Sequence, residues 1–158
     1  MSLSARVVIA STRAAGGVYT DRCGPIIVAW LSERGFDVAP AAVVADGPAV
    51  CEAMRTALHD GVDVLITSGG TGISPTDVTP QITAELLDYQ VPGLADAIRR
   101  SGLPKVPTSV LSRGVCGVAG KSLVVNLPGS SGGVKDGLDV LADVLDHALD
   151  QLGGGDHE

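Results

Sequence analysis

A repeated order of short apolar run, loop and helical stripe constrains this chain more than any other feature. Arg6 to Ser11, Phe36 to Val44 and Val62 to Thr67 are the first three runs, bounded by Gly, Pro and Asp and short enough to be buried strands. Between the first two, Asp21 is placed to cap a helix that ends at Gly35. Between the second and third, Asp46-Gly47-Pro48 opens a helix. Its apolar residues Val50, Ala53, Met54, Ala57 and Leu58 recur on one helical face, and Gly61 ends it. This alternation implies parallel strands joined by right-handed crossovers, hence an α/β fold.

The later chain is less regular. Thr79 or Asp77 starts a helix running to about Asp88, Pro92-Gly93 breaks the chain, and Leu94 to Arg100 is a short helix. Residues 101–113 read as irregular. Val115–Val118 and Ser122–Asn126 read as two strands joined at Ala119-Gly120. One final helix places Val134, Leu138, Leu141, Leu145, Ala148, Leu149 and Leu152 on one face. Asp136, Asp139, Asp143, Asp146 and Asp150 form the opposite face, read as solvated. Residues 1–158 read as one domain, with 153–158 a flexible tail.

Charge narrows the partners. Eleven Lys and Arg against 18 Asp and Glu leave a net charge of -7. Non-specific nucleic-acid binding and acidic membrane surfaces both need basic patches, so neither is expected. A small anionic ligand is still compatible, because backbone N–H groups bind phosphate without Lys or Arg. Cys23, Cys51 and Cys116 are odd in number and contain no C-x-x-C pair, which argues against a disulfide framework or a zinc knuckle. No apolar stretch approaches the roughly 20 residues of a spanning helix, and no signal-peptide pattern opens the chain. The expectation is a reduced, cytoplasmic protein.

Ligands of parallel α/β sheets bind at the carboxyl ends of the strands. Ser11–Gly17, Ala45–Gly47, Ser68–Asp77 and Leu127–Gly133 follow strands there. Gly69, Gly70 and Gly72 clear side chains from a ligand's path, while Thr71 and Ser74 offer hydroxyls. Glycine is 21 of 158 residues, about twice the usual share, which suits loops of that kind. Asp46 and Asp77 precede helices and are therefore capping candidates. Both also fall on the ligand side, where two carboxylates can share a Mg²⁺ with substrate phosphates. Two other patterns lead nowhere. Gly120-Lys121-Ser122 ends like a P-loop, but Val115 stands where its first Gly belongs and strand-like residues follow. Gly70-Thr71-Gly72 begins a dinucleotide fingerprint whose last Gly position holds Pro75.

Thr67-Ser68-Gly69-Gly70-Thr71-Gly72-Ile73-Ser74-Pro75-Thr76-Asp77-Val78-Thr79-Pro80 resembles the signature of the MoaB/Mog family of molybdenum-cofactor biosynthesis proteins. Ser11-Thr12-Arg13 with Gly17, Tyr19, Asp21 and Gly24, Pro92-Gly93-Leu94 through Arg99, Ser112-Arg113, and Asn126-Leu127-Pro128-Gly129-Ser130 resemble further family motifs. The resemblance implies a three-layer α/β sandwich with a mostly parallel central sheet and helices on both faces, assembling as a homotrimer and in some members as a hexamer. It implies molybdenum-cofactor biosynthesis: Mg²⁺-dependent transfer of AMP from ATP to molybdopterin, releasing pyrophosphate. A partner protein for molybdate insertion belongs to the same expectation. By resemblance Asp46 and Asp77 are the catalytic pair and hold Mg²⁺. Ser11, Thr12, Ser68, Gly69, Gly70, Thr71, Gly72, Pro128, Gly129 and Ser130 bind substrate. The chain departs from the family pattern at Thr12, Thr76, Gln81, Leu94 and Asp96, where many members carry Asp, Arg, Glu, Phe and Glu. A non-catalytic molybdopterin-binding or carrier module, or another pterin- or nucleotide-acting protein of the same fold, are the alternatives.

Overall fold

The computed structural model describes residues 2–154. Seven strands form one sheet: β1 (Ser4–Ala10), β2 (Asp37–Val38), β3 (Ala42–Val44), β4 (Val64–Ser68), β5 (Tyr89–Gln90), β6 (Cys116–Ala119) and β7 (Ser122–Leu127). Seven helices accompany them: α1 (Thr12–Ala15), α2 (Cys23–Glu33), α3 (Pro48–His59), α4 (Thr79–Leu86), α5 (Pro92–Arg100), α6 (Ser131–Ala142) and α7 (Leu145–Leu152). The strand order is β2-β1-β4-β7-β6-β5, with β3 also paired to β1. β2, β3, β1, β4 and β7 run parallel; β6 runs against them, antiparallel to both of its neighbours β7 and β5. The sheet is thus mostly parallel, as expected.

Strand alternation explains the layers. Val7 and Ile9 of β1, Val64 and Ile66 of β4, and Leu123, Val125 and Leu127 of β7 pack toward α2, α5, α6 and α7. Their neighbours Val8, Leu65 and Val124 pack on the other face with Val50, Met54 and Ala57 of α3. β4 has no exposed residue, the expected state of a strand covered on both faces. Among the described residues no helix is long and apolar enough to cross a membrane.

Several elements differ from the sequence reading. The run Phe36 to Val44 is two short strands, β2 and β3, interrupted around Pro40, which has no N–H for a ladder. The final helix is two: α6 ends at Ala142 and α7 starts at Leu145. At the break Val144 is exposed and Leu145 fully buried. Pro92 opens α5 rather than ending a segment, occupying the first turn where no N–H is needed. Strand β5 and a 3-10 turn at Pro107–Leu111 have no sequence counterpart above. Ser11 caps the short α1, accepting from Ala14 N–H at 3.2 Å. Arg22 is the cap residue of α2, and Asp21, one position earlier, accepts from the Cys23 and Gly24 N–H groups that open it at 3.1 and 3.0 Å. The 115–126 hairpin forms, with Gly120 at φ +60 in its turn; β7 follows Lys121, so no P-loop helix exists there. Of the expected tail, Gly153 and Gly154 form a turn after α7; residues 155–158 lie outside the described residues.

Asn126 ties the hairpin to the centre. It is buried; its Nδ2 donates to Thr67 Oγ1 at 2.8 Å and Thr83 Oγ1 at 3.0 Å, and its Oδ1 accepts from Val115 N–H at 3.1 Å. Replacing it by Ala leaves that part-buried N–H without its acceptor and two buried hydroxyls without their donor. Asn126→Ala is expected to destabilise the fold by about 3 kcal/mol, within the usual range for broken buried networks, as read from chemical denaturation.

Candidate active site

Because β3 and β4 flank β1 on opposite sides, the chain crosses from one side of the sheet to the other at β1. This switch point opens a crevice beyond the carboxyl ends of the strands. The cleft there has a volume of about 930 Å³. Ser11, Thr12, Asp46, Ser68, Gly69, Gly70, Asp77, Gly129 and Ser130 all line it. Thr71, Gly72 and Pro128 do not. They line a second cleft of about 700 Å³ that shares Gly129 and Ser130 with the first. The glycine loop and the Pro-Gly-Ser loop therefore form a wall between two spaces rather than one pocket.

The two aspartates reach the first cleft differently. Asp46 follows β3 and is oriented by the opposite loop: its Oδ2 accepts from Thr12 Oγ1 at 3.0 Å, and its N–H donates to Thr12 Oγ1 at 3.1 Å. Asp77 is oriented by its own loop, Oδ2 accepting from Ser74 N–H at 3.1 Å. Gly47, not Asp46, precedes α3, and Val78, not Asp77, precedes α4. Neither aspartate caps its helix. Both carboxylates are partly exposed.

Protein packing, as well as ligand space, requires the glycines. At Gly69 (φ +93) a Cβ would sit 2.3 Å from Ala10 O; at Gly70 (φ +67) it would sit 2.4 Å from Thr79 Oγ1 and 2.9 Å from Asp46 Oδ1. Gly70→Val, which from sequence reads as a test of ligand space, would first clash with Thr79 and Asp46.

The sequence reading left Arg13, Tyr19 and Arg22 off the site, yet all three line the first cleft. Tyr19 Oη and Ser11 Oγ are hydrogen-bonded at 2.8 Å. The family motif around Ser11-Thr12-Arg13 and Tyr19 was the available signal. Lys105 and Lys135 line the second cleft, and nothing in their spacing marks them. Cys23 also lines the first cleft; it is buried, its thiol donates to Gly129 O at 3.4 Å, and burial pushes its pKa up. Burial pushes the Cys116 thiol up to about 12. Neither thiol is poised as a thiolate nucleophile at neutral pH.

Thr79 is fully buried beneath Gly70, and its hydroxyl has no hydrogen-bond partner among the described residues. An unpaired buried hydroxyl costs about 1–3 kcal/mol. Thr79→Val keeps the shape and removes the hydroxyl. Its melting temperature is expected to rise by about 2–6 °C, at a few degrees per kcal/mol for a chain of this length. A fall in a thermal melt would show that the hydroxyl is satisfied.

Comparison with known proteins agrees with this architecture. The family described as "Probable molybdopterin binding domain" matches residues 6–147. The molybdenum cofactor biosynthesis bifunctional protein of Synechococcus elongatus is 38% identical over 97% of this chain and 48% of its own length. The chain thus spans about half the length of that relative. The molybdopterin adenylyltransferase of Helicobacter pylori is 33% identical over 94% of this chain and 86% of its own. The solved structure of the molybdopterin biosynthesis Mog protein from Mycobacterium ulcerans is 65% identical, covers 98% of this chain and 99% of that one, and superposes with a TM-score of 0.93. With a family match over residues 6–147 and a solved structure 65% identical over nearly its whole length, the chain belongs to the MoaB/Mog family of molybdenum-cofactor biosynthesis proteins.

Proposed function

We propose that this protein is a molybdopterin adenylyltransferase, transferring AMP from ATP to molybdopterin. One observation carries the reading: Asp46 and Asp77, from different loops, face a single cleft walled by glycine backbone. A terminal phosphate of the pterin substrate attacks the α-phosphorus of ATP. The new P–O bond forms as the bond to the β-phosphate breaks, and pyrophosphate leaves. The attacking phosphate is largely ionised at neutral pH, its second pKa being about 6. No residue need remove a proton, and neither His59 nor His147 lines the cleft.

What the chain supplies is therefore position and charge. Gly69, Gly70 and Gly129 let the phosphates approach backbone, and Ser11 and Ser130 add hydroxyls. Arg13 and Arg22 provide cationic groups on walls where Thr76 is neutral. Asp46 and Asp77 are partly exposed carboxylates, the hard oxygen donors that Mg²⁺ takes together with substrate phosphates, while among the described residues no group of three or more His, Cys, Asp or Glu could hold a metal by itself. Such a site leaves room for the phosphates that Mg²⁺ prefers. Asp46 and Asp77 would hold the ion, which when bound neutralises charge developing on the transferred phosphate. The second cleft, with Lys105 and Lys135, offers space and positive charge for the substrate parts that extend past Gly129.

Asp77→Asn and Asp46→Asn are each expected to lower AMP transfer by roughly 10²-fold, about 2.7 kcal/mol of transition-state stabilisation. Molybdopterin affinity should change far less. The assay incubates protein, ATP, Mg²⁺ and molybdopterin and measures adenylylated pterin. Wild-type binding of molybdopterin without transfer would identify a carrier instead.

Assembly as a homotrimer is part of the same reading. The short edge strand β5 carries exposed Tyr89, which lines one groove with exposed Val91 and Val144, and exposed apolar side chains at a sheet edge favour burial against another chain. Light scattering should give three times the monomer mass; a stable monomer would refute it.

A further inference from the structure

Residues 72–76 connect the end of the glycine turn to Asp77 without regular structure, and Ile73, Ser74, Pro75 and Thr76 are exposed. The loop folds on itself: Asp77 N–H donates to Ser74 O at 2.9 Å, and Thr79 N–H to Gly70 O at 3.2 Å. Those bonds do not attach it to the sheet. Arg113 does. Its backbone N–H donates to Thr71 O at 2.7 Å. Its Nε donates to Gly72 O at 2.8 Å, its Nη2 to Asp77 O at 2.6 Å and its Nη1 to Gln81 Oε1 at 3.1 Å. One side chain grips both ends of the loop and the first turn of α4. Only a guanidinium carries donors in a rigid fork able to reach three such acceptors together.

Arg113 is itself held from behind. Arg99 Nη1 donates to the carbonyls on either side of it, Ser112 O at 2.8 Å and Gly114 O at 3.2 Å. Among the described residues Arg113 forms no ion pair. Its charge is spent on carbonyl oxygens, which makes a bare surface role a poor account of it. Ser112 lines the second cleft and Asp77 the first, so the run Arg99, Ser112, Arg113, Asp77 joins the two spaces mechanically.

We propose that Arg113 is a positioning residue: it pins the 71–77 loop against the start of the β6–β7 hairpin and so keeps the Asp77 carboxylate turned into the first cleft. The inference rests on the adenylyl-transfer reading for its kinetic consequence only. Arg113→Lys keeps stem and charge but not the fork; Arg113→Ala leaves space for a free guanidinium ion. Hydrogen–deuterium exchange is measured on peptides covering residues 71–77, β4 and β7, and AMP transfer is measured with and without sub-denaturing guanidinium chloride.

Both variants should exchange faster across 71–77 with β4 and β7 unchanged. Turnover should fall by about 10²-fold, as misplacing a catalytic group does, with KM for ATP moving less than about threefold. Added guanidinium should restore part of the turnover of Arg113→Ala and none of that of Asp77→Asn. Unchanged exchange at 71–77, normal turnover despite faster exchange, or absence of guanidinium rescue would each overturn the proposal. If Arg113→Ala does not fold, Arg113→Lys carries the exchange and turnover measurements. If wild-type protein transfers no AMP, the functional reading fails while the exchange result still decides whether Arg113 holds the loop.

Discussion

The ligand side of this molecule depends on backbone passing backbone at Gly69. A Cβ there would sit 2.3 Å from the carbonyl oxygen of Ala10, and a Cβ at Gly129 would sit 3.3 Å from Gly69 Cα. The ends of β1 and β4 and the turn after β7 are therefore stacked at a spacing that excludes side chains. Ser68 seals the stack, donating from Oγ to Pro128 O at 2.7 Å. The wall between the two clefts is made of this stack.

The same arrangement answers the electrostatic difficulty of an acidic protein with an anionic substrate. Net charge of -7 opposes phosphate at long range, but screening confines that effect to about 10 Å or less at ordinary salt. Within the first cleft, Arg13, Arg22 and exposed backbone N–H groups stand beside Asp46 and Asp77, and apart from Asp21 the other acidic residues lie elsewhere. Of the acidic stripe expected to be solvated, Asp139, Asp143, Asp146 and Asp150 are exposed, whereas Asp136 is half-buried and lines the second cleft. Asp21, which does line the cleft, has its carboxylate engaged by the N–H groups opening α2. Local geometry, not total charge, decides what this cleft can hold.

Much of the fold was legible because periodicity survives burial. The apolar stripe of α3 predicts Val50, Met54 and Ala57, and all three are fully buried. The strands β1 and β4 fall within a few residues of their sequence positions. Where the reading failed, tertiary contacts decided. Nothing local says that the chain turns at Asp143 and Val144: Leu141 and Leu145, both fully buried, are four residues apart and would share one face of an unbroken helix as well. The two-residue β5 has too short a run to show alternation and is a strand only because β6 offers it a partner at Tyr89 and Gln90.

By itself the amino-acid sequence determined the α/β class, the order of most elements and the motif residues that gather at the strand ends. Those follow from hydrophobic period, glycine and proline placement and helix caps, which act over a few residues. Tertiary structure alone decided that the loops divide two clefts, that Asp46 is oriented by Thr12 from 34 positions away, and that Arg113 reaches Gly72 across 41. Arg13 and Arg22 likewise become cleft residues only once α1 and the start of α2 are folded over the ends of the strands. Such relations depend on distances between segments that the sheet register sets, and register is a property of the packed chain rather than of any stretch within it.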